Sequence, residues 1–288
     1  MFFFAIFITA IAFVFTQALG YRGPSALGFT GIALIVAGIM NFISYYYSDK
    51  MVMAISGAKQ IQKKDNPEVF RIIENLTIAS GLPMPKVYII DDTAPNAFAT
   101  GRDPKHAAIA FTTGILSKLS RQELEGVAAH EISHVGNFDT RLMTIVSILV
   151  GTVALLADWF IRINWWGGGR DRDEDRGQLG AIMAIVGIIL ALLAPIIATL
   201  IQLSISRKRE FLADASGSLI TRNPDALADA LIKISKDKEP LEVANKATAH
   251  LYIVNPFKDR HAITGWFAGL FNTHPPIEER VKTLREMQ

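Results

Sequence analysis

The 288 residues include no cysteine, 29 basic and 27 acidic side chains for a net charge of +2, and 50% hydrophobic residues. The missing thiols exclude a disulfide framework and any thiolate metal site, and the small charge, with no basic stripe interleaved with aromatics, excludes a nucleic-acid partner. So apolar a composition also excludes an ordinary soluble protein of this length.

Most of the apolar excess lies in four runs, 2–19, 27–47, 142–163 and 179–205. Each approaches the ~20 residues needed to cross the hydrocarbon core, and each is expected to be a transmembrane helix. The first ends in Ala18-Leu19-Gly20, which resembles a signal-peptide cleavage site, but it lacks a basic n-region and reads as an uncleaved anchor. The second closes on Tyr45, Tyr46 and Tyr47, an interfacial aromatic belt, before Lys50, Lys59, Lys63 and Lys64.

A polar segment follows. Asn66 as N-cap, Pro67 at the first helical position and Gly81 past the end predict a helix with Val69, Ile72, Ile73 and Leu76 as its buried stripe. The period then becomes extended, predicting three short strands over 86–90, 97–100 and 106–112, with Gly101 to Lys105 turning between the last two. Asn96, Ala97, Phe98 and Ala99 form the candidate edge on which an extended peptide can pair through its main chain; a hairpin that only packs is the alternative reading.

Ser120-Arg121-Gln122-Glu123 is a capping box, and Leu119 with Leu124 supplies the hydrophobic staple, so a helix starts about ten residues before His130-Glu131-Ile132-Ser133-His134. On a helix His130 and His134 share one face and can hold one Zn2+, leaving Glu131 to work on the activated water. Chance alone produces this pattern in roughly one chain of this length in a hundred. The capped helical setting therefore matters more than the five letters.

The third run carries Asp158 and ends among Trp159, Trp165 and Trp166, and Pro195 is expected to kink the fourth. The loop 167–177 between them mixes three arginines with four acids. Arg207, Lys208 and Arg209 follow the fourth run, and with the lysines after the second they place both termini and the polar segments on the cytoplasmic side. Beyond them Glu210 and Asp214 stand at i and i+4. Glu210 is the candidate third metal ligand and Asp214 a candidate acceptor for the free ring N–H of a ligating histidine. Without the histidine motif this stretch would read as a solvated helix in which the basic residues pair these acids. A membrane hairpin returns the chain to the side it left, so His134 and Glu210 can converge.

Asn223-Pro224 opens a helix through Ile234, and Pro276 opens a last one through Arg285. His274, ahead of two prolines, is a candidate for stabilising a tetrahedral oxyanion, with Arg280 as another; a surface turn histidine is the plain reading. His106, His250 and His261 have no partner at metal-ligand spacing.

Four stretches together resemble the HtpX family of bacterial and archaeal membrane zinc metalloproteases, relatives of the eukaryotic CAAX-prenyl endopeptidases: N-A-F-A-T-G at 96–101, the H-E-I-S-H motif, R-E-F-L-A-D at 209–214 and T-H-P-P-I-E-E-R at 273–280. The resemblance covers essentially the whole chain. It implies an α-helical integral membrane protein with a gluzincin-like zinc protease domain, mostly α with a small three-stranded sheet. It also implies one Zn2+ on His130, His134 and Glu210, Glu131 as catalytic base, Asp214 behind the ligands, and Asn96 and Ala97 on the substrate strand. The expected layout is a transmembrane hairpin over 1–48, protease parts over 49–141 and 207–288, and a second hairpin over 142–206. The function implied is cleavage of misfolded membrane or membrane-associated proteins at the cytoplasmic face of the inner membrane, with protein substrates and the lipid bilayer as partners. The alternative is a non-enzymatic metal-binding membrane scaffold or holdase, which requires a fourth protein ligand to close the metal. A transporter is disfavoured, because the apolar runs carry almost no ionisable residues away from their ends.

Overall fold

A computed structural model describes residues 45–146, 207–244, 248–254, 256 and 275–287, with scattered residues between 9 and 43. The chain divides into two compact units, 1–47 with 152–197 and 48–151 with 198–288, and the second holds the histidine motif. Among the described residues no helix is long and apolar enough to cross a membrane. The runs 2–19 and 179–205 lie outside the described residues apart from Thr9, as does the loop 167–177, and the other two runs are described only in part.

The second unit begins with α1 (Ser48–Ile55), a two-residue strand β1 (Lys59–Gln60) and α2 (Pro67–Ser80). The expected signals bound α2: the Asn66 side chain accepts from the Val69 N–H at 3.1 Å, and Gly81 closes the helix at φ 69°, where a Cβ would be strained. Its stripe of Val69, Ile72, Ile73 and Leu76 is buried.

The sheet has four strands among the described residues rather than the expected three, with β1 at one edge. β1 consists of two exposed residues paired antiparallel to β2 (Lys86–Ile90), so it shows no alternation from which a strand could be read. β2 runs parallel to β4 (Ala107–Thr112), and the latter is buried along its whole length, as a central strand covered on both faces requires. β3 (Ala97–Gly101) pairs antiparallel with β4 at the far edge. The expected turn is shifted by one residue: β3 keeps Gly101, and Pro104–His106 form one 3-10 turn, which delays β4 from His106 to Ala107.

After the short α3 (Thr113–Lys118) comes α4 (Arg121–Gly136), which carries the histidines. Its capping box is formed in both directions, with Ser120 N–H donating to Glu123 Oε2 at 2.7 Å and Glu123 N–H to Ser120 Oγ at 3.4 Å. Leu119 and Leu124 are both buried in the core, as a staple demands. α5 (Arg207–Thr221), α6 (Pro224–Lys236), α2 and β3 all pack against α4, so every residue from Val127 to Val135 is buried. A helix enclosed on all sides must partner each polar group it carries. α7 (Ile277–Arg285) closes the unit, packing on α6 and α5. The shared core joins Ile72, Ile109, Phe111, Val127, Leu227, Leu231 and Leu284.

Candidate metal centre

His130 and His134 lie one turn apart on α4, and Glu210 and Asp214 one turn apart on α5, so two helices each present a pair of polar side chains to the seam between them. All four are buried, none more than 4% exposed. The Nε2 atoms of the histidines face each other at 3.1 Å, and Glu210 Oε1 stands 3.4 Å from His134 Nε2. Glu210 Oε2 stands 3.9 Å from His130 Nε2. Tetrahedral zinc with ligands at ~2.0–2.1 Å sets its donors ~3.3 Å apart.

The hydrogen bonds behind the rings fix which nitrogens face inward. His130 Nδ1 lies 2.9 Å from Asp214 Oδ1, and His134 Nδ1 lies 3.0 Å from Asp139 Oδ2. A carboxylate only accepts, so each Nδ1 carries the proton and each Nε2 presents a lone pair. Two lone pairs and a carboxylate crowded together in a buried pocket repel one another, and a cation between them removes the repulsion. The donor set therefore fits a divalent metal; His130, His134 and Glu210 are the grouping of metal-binding side chains found among the described residues.

Arg280 reaches this seam from α7. It is fully buried and grips Asp214 with both arms, Nε to Oδ2 at 2.8 Å and Nη2 to Oδ1 at 2.6 Å, while Nη1 stands 3.6 Å from Glu210 Oε2. Burial would raise the Asp214 carboxyl, but the guanidinium outweighs it and holds the group at about 2. Burial pushes the His130 ring down to about 4, against its bond to Asp214 and with help from Arg280. Burial acts on His134 too, but there the bond to Asp139 and the charges of Glu210 and Glu131 hold the ring up at about 9, so a cation on its Nε2 takes the place of a proton there.

Glu131, 3% exposed, accepts a hydrogen bond from the Ala99 N–H. Burial pushes its carboxyl up to about 7, the charge of Glu210 adding to the rise while His134 opposes it. The β3 edge thus meets the metal helix at the proposed base. Along that strand Thr112 N–H donates to the Asn96 carbonyl, so by alternation Asn96 and Phe98 turn their main chain to β4, and Ala97, Ala99 and Gly101 turn theirs outward. The Phe98 ring packs edge-on against Tyr252 at 5.0 Å. Part of the outward edge is taken: Ile253 N–H donates to the Ala97 carbonyl at 3.0 Å, Asn96 Nδ2 to the Val254 carbonyl at 3.0 Å, and Gly101 N–H to Thr144 Oγ1 at 3.2 Å.

His130, Glu131, His134, Glu210 and Asp214 converge as the sequence suggested, and Arg280 joins them as a clamp on Asp214. His274 lies outside the described residues. Sequence reasoning missed Asp139, whose only trace is an acid five residues beyond the second histidine.

Two helical histidines, a carboxylate on a neighbouring helix that could join them on a metal, and a buried glutamate between the histidines fit a metal-dependent hydrolase of peptide bonds. The profile of peptidase family M48 matches residues 63–288. The chain belongs to that family, within its HtpX group, and it is a metalloendopeptidase. It is 46% identical over 282 residues to the protease HtpX homolog of Tropheryma whipplei (strain Twist), covering 96% of this chain and 94% of that one. It is 44% identical to the homolog of Thermoanaerobacter pseudethanolicus (99% and 92% covered) and 45% identical to that of Pyrococcus furiosus (98% and 92%). Among solved structures, S. mikatae Ste24p matches at a TM-score of 0.49 and 17% identity, over 96% of this chain and 62% of that one.

Proposed function

We propose that the chain is a zinc endopeptidase that cleaves misfolded membrane or membrane-associated proteins at the cytoplasmic face of the inner membrane. Four helices over 2–19, 27–47, 142–163 and 179–205 would hold it there. The observation that carries this reading is the 3.1 Å opposition of the His130 and His134 Nε2 atoms, each ring turned inward by its own carboxylate, with Glu210 beside them. The length and apolarity of the four runs support the membrane location, and the lysines and arginines after the second and fourth support the cytoplasmic orientation.

Zinc, when bound, polarises the scissile carbonyl and acidifies the attacking water. Glu131 accepts the water's proton and returns it to the leaving amine, its carboxylate held in place by the Ala99 N–H. Asp214 and Arg280 keep the His130 ring turned so that its lone pair faces the pocket. The outward main chain of Ala97 and the Ala99 carbonyl receive the substrate as an added strand, with the Asn96 amide on a neighbouring peptide group. Because Ile253 and Val254 occupy part of this edge, an entering peptide displaces them there. His274 is the proposed oxyanion donor, since Arg280 is already engaged on Asp214.

The test is cleavage of a membrane-protein substrate by the full chain in lipid vesicles. Cleavage should cease on chelation, return with Zn2+, and fall in segments facing the same side as residues 49–141. Chelator-resistant cleavage would sink the metal reading, and cuts confined to the opposite side would sink the orientation.

A further inference from the structure

The two histidines are held by matching arrangements. His130 is backed by Asp214, which is gripped by Arg280; His134 is backed by Asp139, which is gripped by Arg209. Asp139 is 1% exposed, and its oxygens divide between the two partners, Oδ2 at 3.0 Å from His134 Nδ1 and Oδ1 on Arg209 Nη1. A carboxylate so deeply buried persists only where its charge is matched. Arg209 directly precedes Glu210, so the contact also ties the end of α4 to the turn of α5 that bears the third ligand.

The backbone is bent to make this contact. α4 ends at Gly136 with Asn137 as its C-cap, and Phe138 then takes φ 59°, a left-handed conformation unusual for a bulky residue. The Phe138 side chain is half exposed and gains little from the position. The left-handed residue re-aims the chain, and Asp139, which opens the next helical stretch, meets the ring of His134.

We propose that Asp139 is a positioning residue for the metal. It fixes the tautomer and rotation of His134, and through Arg209 it holds the Glu210 turn in register with α4. This inference rests on the zinc reading above.

The measurement is the Zn2+ affinity of the metal-stripped full chain, by competition with a chromophoric chelator, for wild type, Asp139→Ala, Asp139→Asn and Arg209→Ala. Loss of such an outer partner typically weakens metal binding by ~10–100-fold, and that is the expected loss for Asp139→Ala. Asp139→Asn keeps an oxygen that accepts from Nδ1 and should stay within several-fold of wild type, while Arg209→Ala should fall between. The rescue by Asn separates orientation from a general structural role, since an isosteric amide also tests the fold. Asp139→Ala binding zinc as tightly as wild type overturns the proposal, and so does Asp139→Asn binding as weakly as Asp139→Ala. If wild type itself takes up no zinc, the failure belongs to the underlying zinc reading.

Discussion

Gly217 of α5 lies directly against His130 of α4: a Cβ placed on Gly217 would stand 3.0 Å from the His130 backbone nitrogen and 3.1 Å from the Ala129 carbonyl carbon. Those neighbours are backbone inside a packed helix and do not yield as a side-chain tip would. The missing side chain is what lets α4 and α5 approach closely enough for Glu210 to meet the histidines. Gly217→Ala should therefore destabilise the unit by about 1–3 kcal/mol through overpacking, although alanine is the better helix former. It should also weaken Zn2+ binding, because the whole of α5 must shift. Chemical denaturation and chelator competition on the same variant check both halves.

Arg280 is the sole described cation gripping Asp214 with two hydrogen bonds. Arg280→Ala leaves a buried carboxylate without its match, and removal of one partner of a buried pair destabilises by about 3–5 kcal/mol. Arg280→Lys restores the charge but not the planar fork. It should recover part of the stability and less of the metal affinity, measured by thermal unfolding and by zinc content after dialysis.

Glu210→Ala removes the proposed third ligand while leaving Asp214 and both histidines in place. Zinc retained after dialysis should fall well below one per chain, with elemental analysis as the readout. Full stoichiometry in this variant would remove Glu210 from the ligand set.

The N-terminus of α4 makes stability depend on acid. Burial alone would raise the Glu123 carboxyl, but its hydrogen bonds from Lys233 and from the Ser120 N–H hold it below the ordinary value. A folded-state pKa below the unfolded one adds stability that is complete above the unfolded value of ~4.3 and is lost as pH falls through the folded value. Glu123→Gln should thus lower stability at neutral pH by about 1 kcal/mol, as loss of a capping contact does, and should flatten the decline below pH ~4.3. Denaturant midpoints across that range, for wild type and variant, provide the comparison.

The parts of the site readable in the sequence are those spaced by a helical turn. His130 with His134, and Glu210 with Asp214, repeat at four residues on stretches whose start signals are local, so their faces could be assigned without coordinates. Asp139 escaped because it lies beyond the end of α4 and arrives through the left-handed Phe138, a conformation that no periodicity reports. The role of Arg280 was equally hidden: its partner Asp214 lies on another helix, and only packing of α7 against α5 brings them together. β1 was missed because two exposed residues carry no pattern, and the cover of Ile253 on the β3 edge is a contact between segments far apart in the chain.

Whether Glu131 is the base of a zinc-dependent peptidase is tested most directly by the cleavage rate of Glu131→Gln on protein verified to hold one Zn2+ per chain. Loss of a general base lowers the rate by about 10²–10⁴-fold, and that decrease with the metal retained is the expected result. Cleavage near the wild-type rate by the zinc-loaded variant would contradict the account.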